Sequence, residues 1–157
     1  MTVSLPNVRK LFVPDPGYVM YDADLSGADA QVVAAEANDN ELRAAFAAGL
    51  DVHAKNATDL FGIRFSALEK GSVPWKKLRQ QVKQGVHGTN YGASHNALSL
   101  ILGWSTQEAI SFQHRWFSLH PGIKDWQDRV LHSLRTSSSV RNQFGYRIPY
   151  FDRVDDL

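Results

Sequence analysis

Four side chains suited to binding phosphate and a flat ring follow one another at intervals of four residues: Arg79, Lys83, His87 and Tyr91. A helix turns about 100° per residue, so each interval advances about 40° and the four share one flank. Two permanent cations, an imidazole and a phenol could together hold a triphosphate and offer a ring for a base to stack upon. A solvated amphipathic helix with its aromatic end in the core has the same spacing, so geometry alone leaves both interpretations open.

Two aspartates form a second candidate site. Asp22 and Asp24 lie where a predicted strand meets a predicted helix, and the strand period of two puts both on one face. A carboxylate at a strand end suits magnesium, which takes one or two protein carboxylates and completes its shell with water and phosphate oxygens. Spacing alone favours the ordinary interpretation, in which Asp24 is a turn residue and Asp22 is a solvated side chain. His53, two residues after Asp51, is by itself more typical of a helix or core histidine.

The elements that must position these groups follow an α+β pattern. Short strands, a mainly helical middle and a final hairpin predict a helical lobe inserted between the halves of a sheet. Ser26 is predicted to cap the first helix, and Ser105 with Glu108 fits a capping box. Gly85 and Gly88 lie inside a long helix, where each needs a packing or ligand explanation. The predicted strands are Leu11–Val13 and Tyr18–Ala23; the helices are Ala28–Ala37, Asn40–Ala48, Asp51–Phe61, Trp75 to about Tyr91, Ser105 to about His120 and Trp126–Leu134; Ile63–Val73 is a loop and Val140–Tyr150 the hairpin.

Composition excludes several classes of protein. The 157 residues contain 43% hydrophobic and 21% charged residues and no cysteine, which excludes a disulfide scaffold and thiolate metal sites. There is no apolar segment of signal-peptide or membrane-span length, so we predict a cytoplasmic protein without a membrane partner. The net charge of +1 hides an asymmetry: seven acids and no Lys or Arg in residues 11–42, then six bases and one acid in residues 64–83. Such segments can attract divalent cations and phosphates respectively, although solvated faces are the ordinary alternative.

Several short motifs, in their order along the chain, resemble those of family A DNA polymerases, the class of bacterial DNA polymerase I and its phage relatives. The resemblance runs from about Leu5 to Tyr150. Residues 24–29 resemble the first palm motif, Asp-x-Ser-x-x-Glu, and residues 79–92 resemble the fingers motif, Arg-x-x-x-Lys-x-x-x-Phe/Tyr-Gly-x-x-Tyr-Gly. His120-Pro121-Gly122 resembles the Tyr-Pro-Gly that leads back to the palm, and Gly145-Tyr146-Arg147 resembles a Gly-Arg-Arg turn beyond it.

The resemblance implies a fold and a division of the chain. The fold would be part of a polymerase palm sheet with an inserted, mainly helical fingers subdomain. Residues 1–50 would form the first part of the palm, residues 51–118 the fingers, and residues 119–157 the return to the palm. The implied activity is DNA-directed DNA polymerisation, in which a primer 3′-hydroxyl attacks the α-phosphate of a deoxynucleotide at a two-metal site containing Mg²⁺. DNA primer–template and deoxynucleotide would therefore be its ligands.

The resemblance also implies a role for each matched residue. Asp24 would be a catalytic metal ligand, with the backbone carbonyl of Leu25 beside it. Lys83 would act on the departing pyrophosphate. The deoxynucleotide would be bound by Leu25, Asp29, His53, Arg79, Lys83, His87 and Tyr91, and the nucleic acid by Tyr91, Gly92 and Arg147.

The sequence also departs from the family pattern. It contains no His-Asp-Glu, the motif that supplies the family's second catalytic carboxylate. We therefore predict a chain that is inactive alone, as one subunit of a split polymerase whose partner carries the thumb and that motif, or as a fragment. Asp29 replaces a usual Glu, Gln31 a usual Arg, and His87 a usual Phe or Tyr. A non-catalytic, polymerase-derived nucleotide-binding, nucleic-acid-binding or regulatory module remains the alternative. The expected location is the cytoplasm of a bacterium or of a phage-infected host.

Overall fold

The structure, a computed structural model, describes residues 7–151; the outer ends of both predicted palm portions lie outside these residues. Helices dominate the described part, and a single two-stranded sheet follows them. A 3₁₀ helix at Val8–Leu11 precedes α1 (Ala28–Glu36), α2 (Asn40–Ala47), α3 (Val52–Phe61), α4 (Ile63–Ser66), α5 (Val73–Asn90), α6 (His95–Leu102), α7 (Thr106–Leu119) and α8 (Pro121–Ser137), then β1 (Ser139–Arg141) and β2 (Arg147–Pro149).

The predicted N-terminal strands are wrong. Leu11–Val13 and Tyr18–Ala23 form no strand, and their large side chains are exposed, Tyr21 by 89%. A strand needs a hydrogen-bonded neighbour, and within residues 7–151 the only strand pairing joins β1 to β2. That pairing is antiparallel, with Val140 opposite Ile148. The predicted C-terminal hairpin is thus confirmed, and the described part is helix-rich with one small sheet.

Helix starts follow side-chain capping in most places. A side-chain oxygen of Asp39, Asp51, Ser72, Ser94 and Ser105 accepts a backbone N–H at the start of α2, α3, α5, α6 and α7 respectively. The predicted capping box between Ser105 and Glu108 is present in both directions.

The start of α1 differs from the prediction. Gly27, and not Ser26, occupies the cap position, and its left-handed conformation, with φ of 64°, provides no side-chain cap. Ser26 instead lies in the preceding turn, where its carbonyl accepts a hydrogen bond from Gln31 Nε2 at 3.0 Å. The turn before α1 is therefore shaped by the glycine backbone.

Two further helices lie where the sequence prediction had none. The predicted loop Ile63–Val73 begins with α4, because Phe65 enters the core and is only 3% exposed. Helix α6 lies between its Ser94 cap and Gly103, which has a positive φ of 67°. Its Leu98 is fully buried, so packing stabilises this short helix beyond its own propensity.

The main hydrophobic core takes buried side chains from every described α-helix except α6, and α5 also packs closely against α6 and α7. A Cβ added to Gly85 would lie 2.8 Å from Phe112 Cζ on α7, and one added to Gly88 would lie 2.7 Å from Leu98 Cδ2 on α6. Both distances are too short for a real side chain, so close packing accounts for the two glycines. This packing holds the buried side of α5 and leaves its cationic flank facing solvent.

A buried hydrogen bond between His120 and Asp39 ties the early helices to the late ones. His120 Nδ1 lies 2.7 Å from Asp39 Oδ2, and the side chains are 1% and 8% exposed. The other oxygen of Asp39 accepts the Leu42 N–H at 2.9 Å, so one carboxylate both begins α2 and contacts the α7–α8 junction. The imidazole also packs against the Trp116 ring, with 4.2 Å between ring centroids.

Candidate functional site

Helix α5 carries the four side chains that the sequence spacing singles out. Lys83 and His87 are exposed, Arg79 is partly exposed, and Tyr91 is the C-terminal cap of the helix with 62% of its surface exposed. The His87 and Tyr91 rings meet edge to face, with 4.7 Å between their centroids. The outward side of α5 therefore offers two cations followed by two rings.

Asp51 is a member of the site that sequence reasoning passed over. Arg79 grips it with two nitrogens, Nη2 at 2.8 Å from Oδ1 and Nε at 2.9 Å from Oδ2. Partial burial raises the pKa of Asp51, but the hydrogen bonds from Arg79 and from the Ala54 N–H outweigh that effect and hold it below its usual range. The guanidinium also lies 5.9 Å from the Trp75 ring centroid. Arg79 is thus anchored, and an anion that binds it must share it with Asp51.

His53 lies next to this pair, in the first turn of α3. Its pKa is lowered, first by burial and then by the positive charges of Arg79 and Lys83, with Asp51 opposing. Its buried Nδ1 has no hydrogen-bond partner among the residues that the structure describes. An anion placed here would accept a hydrogen bond from Nδ1, and its negative charge would favour the charged imidazole and so raise the lowered pKa of His53.

The far end of α5 is held by a buried polar network. Trp116 Nε1 donates to Asn90 Oδ1 at 2.8 Å, and both side chains are buried. Gln127 Nε2 donates to the carbonyls of Thr89 and Asn90 at 2.8 and 2.9 Å. The Asn90 carbonyl is one that a helix end otherwise leaves unpaired, whereas the Thr89 carbonyl also accepts the Gly92 N–H at 3.0 Å. These hydrogen bonds fix the backbone that carries Tyr91.

Gly92 and Arg147, two of the residues predicted to contact nucleic acid, lie on different elements. Gly92 follows Tyr91 directly and has a positive φ of 76°, which turns the chain away from α5. Arg147 lies on β2, where its Nε donates to Ser139 Oγ at 3.0 Å and its Nη2 contacts the Ser137 carbonyl at 3.4 Å. Arg147 therefore braces the hairpin.

The acidic residues belong to another part of the fold. Asp24 and Leu25 are exposed on the irregular segment before α1, and Asp29 lies in the first turn of α1. No hydrogen bond, ion pair or ring contact joins Asp24 or Asp29 to the α5 flank within residues 7–151. The sequence thus identified side chains that the structure places in two separate groups.

The acidic group matches magnesium in ligand type. The Asp24 carboxylate and the Leu25 carbonyl are hard oxygen donors, which Mg²⁺ prefers. Their number is small: no group of three or more His, Cys, Asp or Glu placed to hold a metal occurs among the described residues. These two oxygens could hold an ion only together with ligands from a substrate phosphate, water or another chain.

Among the residues that the structure describes, no helix combines the length and the apolar character needed to cross a bilayer.

Comparisons with known proteins bear on the family of the chain. The family model for DNA polymerase family A matches residues 2–155. The chain is 32% identical over 140 residues to the thermostable DNA polymerase I of Thermus filiformis, covering 89% of this chain and 16% of the relative. It is 34% identical over 140 residues to the DNA polymerase I of Chloroflexus aurantiacus, covering 89% and 14%. The chain therefore spans about a sixth of the length of these relatives.

A solved structure with a similar fold is the POL domain of Pol1 from M. smegmatis in complex with DNA primer-template and dNTP. It matches with a TM-score of 0.69 and 26% sequence identity, covering 84% of this chain and 22% of that chain.

Proposed function

The chain belongs to DNA polymerase family A, and on that premise we propose that it is the part of a DNA-directed DNA polymerase that holds the incoming deoxynucleotide. The observation that carries this proposal is the α5 flank, where Lys83 is exposed beside the Arg79–Asp51 pair and the unpartnered Nδ1 of His53. A similar fold in a polymerase complex with primer-template and dNTP supports it.

The triphosphate would lie along the first turns of the flank. Lys83 is a compact point charge suited to phosphate oxygens. Arg79 would contribute one edge of its guanidinium while Asp51 keeps the other, and His53 would donate a hydrogen bond. As pyrophosphate leaves, its new charge would be stabilised most strongly by Lys83, which gives this residue its catalytic role.

The base would lie toward the aromatic end of α5. The Tyr91 ring is exposed and its backbone is fixed, so it would form one wall of the nascent base pair. His87 packs against its edge and would lie beside the sugar. Asp29 and Leu25 would border the sugar from the palm side, and Gly92 would leave room for the template.

Magnesium would be held by the Asp24 carboxylate and the Leu25 carbonyl. When bound, it would supply Lewis-acid stabilisation of the phosphate under attack. The two oxygens fall short of a full two-metal site, so we propose that a complementary chain contributes the remaining carboxylate, and that this chain alone does not extend a primer.

A complementary chain has an apolar surface to cover. Phe12, Tyr18 and Tyr21 are 71%, 75% and 89% exposed on the segment before α1, and Phe144 is 86% exposed on the hairpin. Large apolar groups exposed to water on these two segments are typical of a surface that another chain covers. Arg147 would then reach nucleic acid from the hairpin of the assembled enzyme.

Equilibrium binding of a labelled deoxynucleotide by the full chain tests the proposal. Lys83→Ala removes a charge-assisted contact worth about 1.5–3 kcal/mol, so affinity should fall by about tenfold or more. Lys76→Ala is the matched control, because Lys76 is an exposed lysine of the same helix that the site does not use. Equal affinities for both variants would remove the basis of the proposal.

The non-catalytic alternative is kept open by two departures from the family motifs, Asp29 in place of Glu and His87 in place of Phe or Tyr. It predicts that nucleotide binding survives while Asp24 has no function. Asp24→Ala in an assembled enzyme separates the two, since only a polymerase would lose turnover.

A further inference from the structure

Helix α5 has a second cationic face that the proposed deoxynucleotide site does not use. It borders an open cleft of about 650 Å³ formed with α3, α4 and α7. Lys77 and Gln81 line this cleft. They lie about 120° to 160° around the helix from Arg79 and Lys83, by the helical angle per residue. The two faces of α5 are therefore separate binding surfaces.

The cleft carries net positive charge. Arg64, Lys77 and Arg115 line it and are exposed, and Glu108 is the one carboxylate in its lining. Glu108 is committed to the start of α7, where Oε2 accepts hydrogen bonds from Ser105 N and Oγ at 2.8 Å each. Those bonds lower the pKa of Glu108, so it remains charged at neutral pH and reduces the local excess from three to two. An anion is still the favoured occupant.

Aromatic rings lie among these cations. Phe61 and Trp104 line the cleft and are only partly buried, with 6.1 Å between their centroids and an edge-to-face arrangement. The Arg64 guanidinium lies 5.5 Å from the Phe61 ring centroid, and Arg115 Nη2 donates to the Asp59 carbonyl at 2.9 Å. These contacts restrict the side chains of both arginines at the edge of the cleft. The restriction lowers the conformational entropy that they lose when they bind a ligand.

We propose that this cleft binds a short stretch of single-stranded nucleic acid, with phosphates on Arg64, Lys77 and Arg115 and a base against Trp104. Cations that follow a backbone beside rings that accept any base are the features of sequence-tolerant single-strand binding. An acidic peptide would use the same cations but would not need the exposed part of the Trp104 ring, which is only partly buried. The site goes beyond the deoxynucleotide site, because none of the side chains assigned to that site lines the cleft.

Fluorescence anisotropy of a labelled oligothymidine with the full chain at low salt tests this inference. Lys77→Glu should weaken binding by about tenfold, whereas Lys76→Glu should weaken it by less than about threefold. The two lysines are sequence neighbours, both exposed, and only Lys77 lines the cleft. The variants have the same net charge, so bulk attraction is matched. Loss of Lys77 should also reduce the slope of log affinity against log salt by about 0.7.

Trp104→Phe gives a second readout that does not depend on charge. Oligothymidine should quench tryptophan emission of the wild-type chain, and most of that quenching should disappear in the variant while anisotropy still reports binding. Circular dichroism of each variant confirms that it is folded.

Three results would overturn the inference. Equal effects of Lys77→Glu and Lys76→Glu would show general electrostatic attraction. A loss confined to Lys83→Glu would place the strand on the deoxynucleotide face. Binding of oligoglutamate at Lys77 without binding of oligothymidine would assign the cleft to an acidic peptide. Deoxynucleotide binding through Lys83 is measured separately, so either proposal can fail without the other.

Discussion

Asp51→Asn should strengthen deoxynucleotide binding, although it removes an ion pair. In the free chain, Arg79 is held by Asp51 through hydrogen bonds of 2.8, 2.9 and 3.2 Å. A triphosphate must weaken that pair before it gains the guanidinium. The asparagine variant leaves Arg79 available and also removes one negative charge from the neighbourhood of the phosphates.

The magnitude follows from the exposure of the pair. The Arg79 and Asp51 side chains are 27% and 42% exposed, so water screens their attraction. Such pairs contribute about 0.2–1 kcal/mol. Releasing that energy should tighten deoxynucleotide binding by about 1.4- to 5-fold. The start of α3 should persist, because asparagine also caps helices and retains an oxygen for the Ala54 N–H, now 3.1 Å from Oδ1.

Isothermal titration of wild-type and variant chains with a deoxynucleotide measures the effect. Glu41→Gln is the matched control, since it also removes one carboxylate charge and breaks a contact with a cation, Lys55, away from α5. Affinity should rise for Asp51→Asn and not for Glu41→Gln. Weaker binding by Asp51→Asn in a folded chain would refute the reasoning, because Asp51 would then position Arg79 and not compete for it.

Three further predictions concern the same helix and its neighbours. Gly85→Ala should lower the free energy of unfolding by about 1 kcal/mol in denaturant titration, because crowding Phe112 costs about 1–3 kcal/mol and better helix propensity returns about 1; an unchanged midpoint would mean that Phe112 moves freely. Asn90→Ala should cost about 1–3 kcal/mol by the same assay, because it leaves the buried N–H of Trp116 without an acceptor; a neutral result would contradict that hydrogen bond. Deoxynucleotide affinity should rise as the pH falls from about 7.5 to about 6, because the phosphates raise the lowered pKa of His53 and binding takes up a proton. His53→Gln should remove the part of this pH dependence that exceeds the titration of the nucleotide itself. If the variant and the wild-type chain had the same pH profile of affinity, His53 would be excluded from the site. Without nucleotide, the chain should lose stability as the pH falls below about 6.5, because His53 is protonated less readily in the folded state than in the unfolded state.

Helices were the most predictable part of the fold, for local reasons. Hydroxyl and carboxylate caps, Pro74 near the start of α5 and glycines after helix ends act within one turn of the chain. The same rules misassigned Ser26, because Gly27 takes a left-handed conformation that removes Ser26 from the cap position. They also left α6 unassigned, although Ser94 and Gly103 bracket it.

Strands were less predictable because their partners lie elsewhere in the chain. Tyr18–Ala23 has the composition of a strand, but no neighbour pairs with it within the described residues. Composition reports that a segment suits a sheet, and pairing decides whether it forms one. The exposed side chains of this segment retain that suitability for a neighbour supplied by another chain.

The candidate site was predictable where one helix carries it. A constant interval of four residues aligned Arg79, Lys83, His87 and Tyr91, and the helix preserved that order. Contacts between elements were not accessible in the same way: Asp51 grips Arg79 across 28 positions, and its cap role at α3 was the only local indication. The roles assigned to these residues remain predictions.

Primer extension by the assembled enzyme tests the central claim most directly. The tagged chain, recovered from its native source with whatever polypeptide binds it, would be given primer–template, deoxynucleotides and magnesium. Asp24→Asn should abolish extension, whereas Asp15→Asn, an exposed aspartate in the same acidic segment, should not. Full extension by the Asp24 variant, or extension by the purified chain alone, would contradict the account.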